Sequence, residues 1–96
     1  MRAEIQVWLK ETIDGWKADV MVVEGTSRTK HKVTLSKPDR QRLGGLSQPP
    51  EVLLEETFRF LLAREPKESI LRAFDVSDVQ RYFPDFPAEM QRRMSR

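Results

Sequence analysis

The stretch FRFLLAREPKESILRAFDVSDVQRYFP, residues 58–84, groups apolar side chains at helical spacing and interrupts them with prolines. Its apolar stripe begins upstream at Val52, directly after a proline pair that suits the first turn of a helix. Pro66 prevents that helix from continuing, because proline lacks the amide hydrogen and clashes with the preceding turn. We therefore predict a central helix over residues 49–64, against which the rest of the chain packs.

Shorter helices are predicted on both sides of the central one. Downstream, residues 66–74 and residues 76–83 carry apolar side chains at helical spacing, and Asp75 between them is a typical N-cap. Upstream, Ser36 precedes a segment that ends at a Gly-Gly pair, which favours a left-handed stop. This pattern predicts a two-turn helix over residues 37–43.

The N-terminal third has the period-two pattern of strands. Residues 3–10 alternate apolar and polar side chains, and an Asp-Gly turn separates them from a second apolar run over residues 16–24. A third alternating segment covers residues 28–35. The predicted fold class is α+β, with a three-stranded antiparallel meander packed against one central helix and short C-terminal helices.

The chain length of 96 residues is that of one small domain. We assign residues 1–87 to a single α+β domain and expect residues 88–96 to form a basic, frayed tail. The sequence contains no cysteine and no apolar segment of membrane-spanning length, and its first residues lack the apolar run of a signal peptide. These features predict a cytoplasmic protein with no membrane partner.

The residue types that most enzymes use are scarce. There is one histidine, His31, and no cysteine to complete a metal site or activate a nucleophile. The carboxylate pair Glu55 and Glu56 diverges on a helix, and Asp75 is explained as a cap. We expect His31 to be a core or half-buried residue, and we expect no catalytic residue, no metal and no cofactor.

Positive charge is concentrated in one segment. Residues 28–42 carry six basic side chains and one acidic side chain. If this segment binds nucleic acid, the contacting side chains would be Arg28, Lys30, Lys32, Thr34, Lys37, Arg40 and Arg42. The alternative is a solvated charged surface, since Glu4, Asp19 and Glu24 on neighbouring strands are placed to neutralise it by cross-strand pairing.

Three aromatic residues are candidates for a protein interface. Trp8 lies on the polar side of the first strand, and an exposed tryptophan is a frequent interface anchor. Tyr82 and Phe86 flank the proline that ends the helical module. A small core and these aromatic residues together predict a homo-oligomer or a complex with a protein partner.

The segments FRFLLAREPKESIL and FDVSDVQRYFPDF, residues 58–71 and 74–86, resemble the C-terminal half of a family of small uncharacterised bacterial proteins. The resemblance covers about the last half of the chain. It implies a bacterial, cytosolic, stand-alone protein. It implies no activity, cofactor or catalytic residue.

The segment KHKVTLSKPDRQRLGGLSQPPEVLLEETFRFLLARE, residues 30–65, resembles the ribbon-helix-helix DNA-binding proteins. This resemblance implies that Lys30, Lys32 and Thr34 face the bases from a strand in the major groove. It also implies that residues 45–47 form a turn that meets a phosphate. The pattern departs from that family in its short first helix and in the proline pair that removes amide donors from the second.

Taken together, the residues favour a non-enzymatic binding or adaptor module that acts through self-association or a protein partner. The alternative is an antitoxin-like nucleic-acid-binding regulator that uses the basic strand 28–35. An enzyme is the third possibility, and no set of acid, base and nucleophile supports it.

Overall fold

The structure, a computed structural model, describes residues 2–95. The strands are β1 (Glu4–Glu11), β2 (Gly15–Glu24), β3 (Ser27–Ser36) and β4 (Ala73–Asp75). The helices are α1 (Lys37–Arg42), α2 (Pro50–Leu62), α3 (Val79–Tyr82) and α4 (Phe86–Met94). Single 3₁₀ turns occur at Gly45–Ser47, Lys67–Ser69 and Val76–Asp78. The predicted α+β class is therefore confirmed.

The first three strands form the predicted antiparallel meander. β1 pairs with β2, and β2 pairs with β3, each along its whole length and without a break in register. β2 begins at Gly15, a position that requires glycine because a Cβ there would lie 2.0 Å from the Leu35 carbonyl oxygen. Gly25 supplies the positive φ of 60° in the turn to β3, a conformation that glycine adopts without steric cost.

The sheet has a fourth strand that the sequence patterns did not predict. β4 pairs in parallel with β3, so the sheet is mixed and its strand order is β1-β2-β3-β4. The predicted helix over residues 66–74 is wrong, since this segment is one 3₁₀ turn followed by extended chain. The helical spacing of its apolar residues was a coincidence of a short window.

Long-range hydrogen bonds to β3 explain why residues 66–74 are extended. The His31 ring bonds the Leu71 carbonyl at 2.8 Å, and the Lys32 amide donates to the Arg72 carbonyl at 2.8 Å. Upstream, the buried ammonium group of Lys67 contacts Glu24 at 3.1 Å and Glu68 at 2.6 Å. The two bonds to β3 satisfy the Leu71 and Arg72 carbonyls, which a helix would have bonded internally, and the Lys67 ion pairs fix the start of the segment.

The predicted central helix is confirmed as α2. It lies on one face of the sheet, which we call the inner face, where Phe58 is 0% exposed and packs against the His31 ring, with the ring centroids 5.2 Å apart. The predicted helix after Ser36 is confirmed as α1, with the Ser36 hydroxyl accepting from the Asp39 amide at 3.1 Å.

The segment after β4 is helical, as the sequence predicts for residues 76–83. It consists of the 3₁₀ turn Val76–Asp78 followed by α3. Asp75 is its N-cap, in a capping box in which the Asp78 side chain accepts from the Asp75 amide at 3.0 Å. None of the helices in residues 2–95 is long and apolar enough to cross a membrane.

Residues 88–94 of the expected frayed tail instead belong to helix α4. Phe86, Met90 and Met94 are each buried, and their spacing of four residues forms one helix face against the core. Gln48 holds the helix end by donating to the Met94 carbonyl at 3.1 Å. The division of the chain after residue 87 therefore cuts through a packed helix.

Candidate binding surface on the sheet

β3 separates two kinds of side chain because alternate residues of a strand point to opposite faces. Its inward residues are buried, and its outward residues are exposed. We call the exposed side the outer face. It collects the outward residues of four strands, namely Glu4, Gln6, Trp8, Lys10, Lys17, Asp19, Met21, Val23, Arg28, Lys30, Lys32, Thr34, Ala73 and Asp75.

Trp8 is the apolar centre of the outer face. Its side chain is 53% exposed, whereas Ile5 on the inner face of the same strand is 8% exposed. It borders an open depression of about 810 Å³ whose lining includes Met21, Lys30, Lys32 and Arg72. An exposed indole among cations is a combination that typifies binding surfaces.

Acidic neighbours neutralise the outer face only in part. Asp19 contacts Lys32 at 3.2 Å, as the cross-strand argument predicts. Glu24 is instead paired with Lys67, and Glu4 accepts a hydrogen bond from Gln6 at 3.2 Å. Basic side chains on or beside the face outnumber the acidic residues Glu4, Asp19 and Asp75, and they are Lys10, Lys17, Arg28, Lys30, Lys32 and Arg72.

Thr34 is tied to β4 rather than free. Its hydroxyl donates to the Asp75 carboxylate at 2.5 Å. Burial alone would raise the pKa of Asp75, but hydrogen bonds from Ser77 and Thr34 hold that pKa below its ordinary value. Asp75 therefore stays ionised, and its carboxylate accepts hydrogen bonds from Thr34 and Ser77 that hold β4 and the following turn in place.

The structure divides the seven predicted nucleic-acid contacts into two groups. Arg28, Lys30, Lys32 and Thr34 lie together on the outer face, and the remaining three belong to α1. There Lys37 is 4.0 Å from Glu11, and Arg42 is 3.1 Å from Asp39. Arg40 donates to the Gln48 carbonyl at 2.7 Å and lies over the Trp16 ring at 5.2 Å.

The three predicted interface aromatics lie in different environments. Trp8 and Tyr82 are exposed, at 53% and 66%. Phe86 is 0% exposed and packs against the Phe60 ring at 5.0 Å. Its assignment to an interface is therefore corrected, because the side chain fills the core of this chain and is unavailable to a partner.

Tyr82 borders an apolar cleft that the sequence patterns missed. The cleft has a volume of about 220 Å³ and is lined mainly by Leu61, Ile70, Leu71, Phe74, Val79 and Phe83. Glu65 also lines it, and burial raises the pKa of that carboxyl. The cleft forms between α2, α3 and the extended segment before β4, which the sequence patterns did not predict.

His31 is a structural residue, as its position beside apolar neighbours predicts. Its Nδ1 is 2.8 Å from the Leu71 carbonyl, which can only accept, so Nδ1 carries the proton. Its Nε2 then accepts from the Thr29 hydroxyl at 2.8 Å. Burial lowers the pKa of His31, and the Arg72 charge acts in the same direction against the Leu71 hydrogen bond. The ring is neutral at pH 7.

No group of three or more histidine or acidic side chains in residues 2–95 is placed to hold a metal ion. Comparison with protein-family models, with curated proteins and with solved structures finds no match. The two resemblances therefore stay predictions. For the second, the predicted pairing of β3 with β2 holds over residues 27–36, and the structure adds β4 on the other edge at Lys32, Val33 and Thr34, so the basic strand is paired on both edges there.

Proposed function

We propose that this chain is a non-enzymatic binding or adaptor module of the bacterial cytoplasm that acts through self-association or a protein partner. The observation that carries the proposal is the outer face, where Trp8 is exposed at the centre of a predominantly basic sheet surface. The helix α2 packs on the opposite, inner face, so the outer residues contribute little to the core.

The charge of the outer face defines the partner. Lys30 and Lys32 are both exposed, and among the described residues 2–95 only Lys32 has an acidic contact, at 3.2 Å from Asp19. An acidic protein segment with an apolar side chain would complement these cations and cover the Trp8 ring. Aromatic and basic anchors of this kind carry much of the binding energy in protein interfaces.

The test is co-purification from the source cell with and without nuclease. The tagged chain is compared with the triple variant Trp8→Ala, Lys30→Ala, Lys32→Ala. The matched control Lys37→Ala, Arg81→Ala also removes two exposed cations, but neither lies on the outer face. We expect a nuclease-resistant protein partner that the triple variant loses and the control retains. Equal capture by all three chains would contradict the proposal.

The second candidate function is nucleic-acid binding by an antitoxin-like regulator. It is supported by the alternation of Arg28, Lys30 and Lys32 on exposed positions of one strand, beside an indole that can stack on a base. In this case binding is to be measured with an oligonucleotide of about 20 bases, single-stranded and duplex, over a salt series. Retention that disappears with nuclease in the co-purification would favour this function over the first.

A further inference from the structure

The backbone of β1 has an unpaired edge. β1 lies at the end of the sheet, and within residues 2–95 it pairs only with β2. The Thr12 amide donates to the Gly15 carbonyl at 2.7 Å, so the backbone amide and carbonyl of Thr12 point towards β2. Because the backbone groups of successive residues alternate in direction, the even-numbered residues of β1 also face β2. The amides and carbonyls of Ile5, Val7 and Leu9 therefore face outwards.

Arg59 gives an independent check of this direction. Its Nη1 donates to the Ala3 carbonyl at 2.7 Å from α2, outside the sheet. Ala3 is odd-numbered, and its carbonyl points away from β2 as the alternation requires. Arg59 therefore occupies the edge at Ala3, and the open part begins at Ile5.

Of the features that usually protect edge strands, the open edge has charged side chains at Glu4, Lys10 and Glu11 but neither a proline nor a bulge. Residues 4–11 contain no proline or glycine, and their register with β2 is unbroken by a bulge. The opposite end of the sheet is different, because β4 has only three residues. Inward side chains on β1 are also incompletely covered: Val7 is half-buried, whereas its β2 partner Val20 is 1% exposed. Edges of this kind are templates for pairing with another chain.

We propose that β1 pairs antiparallel with β1 of a second copy, about a two-fold axis at Val7, and joins the two sheets into one. The inference deepens the self-association named in the proposed function and rests on it. Val7 then lies opposite Val7 of the second copy, Ile5 opposite Leu9, and Glu4 opposite Lys10. The two copies exchange about six backbone hydrogen bonds.

Charge and polarity select this register from its neighbours. Residues whose amide and carbonyl face the open edge can pair only with residues of the second copy that do the same. The possible registers therefore differ by steps that move the two-fold axis by one residue. An axis at Gln6 places Lys10 opposite Arg2, which is a like-charge pair. An axis at Trp8 places Ile5 opposite Glu11. Only the axis at Val7 pairs opposite charges twice, and it also pairs apolar side chains three times; both arrangements stabilise antiparallel strands.

Dimerisation would also extend the binding surface. Trp8 of each copy would lie next to the axis, opposite Gln6 of the other copy, so that the two outer faces become one continuous surface. Such an isologous contact closes on itself and predicts a dimer rather than a filament.

The experiment is a charge exchange measured by analytical ultracentrifugation over about 1–100 μM. We expect the wild-type chain to dimerise, and we expect Glu4→Lys or Lys10→Glu alone to weaken the dimer about tenfold or more, because each places like charges opposite one another. The double variant Glu4→Lys, Lys10→Glu should restore the wild-type affinity. Lys30→Glu is the matched control for Lys10→Glu, since Lys30 is exposed on β3 away from the edge.

Amide hydrogen exchange supplies a second measurement that needs no variant. The amides of Ile5, Val7 and Leu9 should exchange rapidly in dilute monomer and become protected at dimer concentrations. A wild-type chain that stays monomeric at about 100 μM would overturn the dimer and leave the co-purification result untouched. A dimer that both single variants leave intact, or that leaves these three amides unprotected, would overturn pairing at this edge in this register.

Discussion

The inner and outer faces of the sheet differ although they are built from the same strands. On β3, inward residues such as His31 and Val33 are each 1% exposed, whereas their neighbours Lys30 and Lys32 face solvent. The inner face packs against α2 and supplies the core. Residues on the outer face are not needed for that core, so the chain can carry charge and an exposed indole there at little cost in stability.

The largest effect is expected from truncation of the inner face. Phe58→Ala removes a ring that is 0% exposed and packs against the rings of His31 and Phe74. It should lower the free energy of unfolding by about 3–5 kcal/mol in urea denaturation, through lost burial and a cavity. Trp8→Ala on the outer face should cost less than about 1 kcal/mol. Equal losses would contradict the division between the two faces.

A smaller but substantial loss is expected at the C-terminal helix. Met90 is 0% exposed in α4, so Met90→Ala should lower the free energy of unfolding by about 2–4 kcal/mol. Arg92→Ala changes an exposed side chain of the same helix and should leave the urea midpoint close to that of the wild type. A wild-type midpoint for Met90→Ala would indicate that residues 86–94 do not pack on the core.

Patterns within one element were predictable from the sequence, and patterns between elements were not. The three strands and α2 follow from period-two and helical spacing within each segment. β4 depends on bonds from Leu71 and Arg72 to a strand about 40 residues earlier, which local spacing does not encode. In α4, the spacing of Phe86, Met90 and Met94 was a usable signal, but the prolines and the arginine-rich end obscured it.

The candidate surface was predicted only in part, because a pattern within one strand shows which side chains share a face but does not show their partners on other elements. Alternation alone placed Arg28, Lys30 and Lys32 on one side of a strand and Trp8 on a polar side. The sequence could not show that Glu24 pairs with Lys67, which leaves the basic strand less neutralised than expected. Phe86 was assigned to an interface because it follows the helix-breaking Pro84, and its packing against Phe60 depends on α4, which the sequence patterns did not predict.

The inner face should also make stability depend on pH. The folded pKa of His31 is lowered, so the unfolded chain binds more protons below the ordinary histidine pKa of about 6.5. The free energy of unfolding should therefore be highest above that pH and fall as pH decreases below it. His31→Gln removes the only histidine, so its stability should lack this slope. Parallel pH profiles of the two chains would show that His31 is not buried in its neutral form.

The smallest effect on stability is expected from the basic strand. Lys30→Ala with Lys32→Ala should change the free energy of unfolding by no more than about 0.5 kcal/mol, since the Lys32–Asp19 pair is exposed. If these lysines contact phosphates, the slope of log affinity against log salt for duplex DNA should fall by about 2. An unchanged slope with unchanged affinity would remove the nucleic-acid candidate and leave the protein partner.

Methionine methyl NMR tests most directly whether the outer face is the binding surface. The chain carries an internal reporter and internal controls, because Met21 lies in the outer-face depression whereas Met90 and Met94 are buried against the core. The partner recovered by co-purification is titrated into the protein labelled at its methionine methyl groups. The account predicts that the Met21 signal shifts while those of Met90 and Met94 keep their positions. Binding that leaves the Met21 signal unchanged would contradict it.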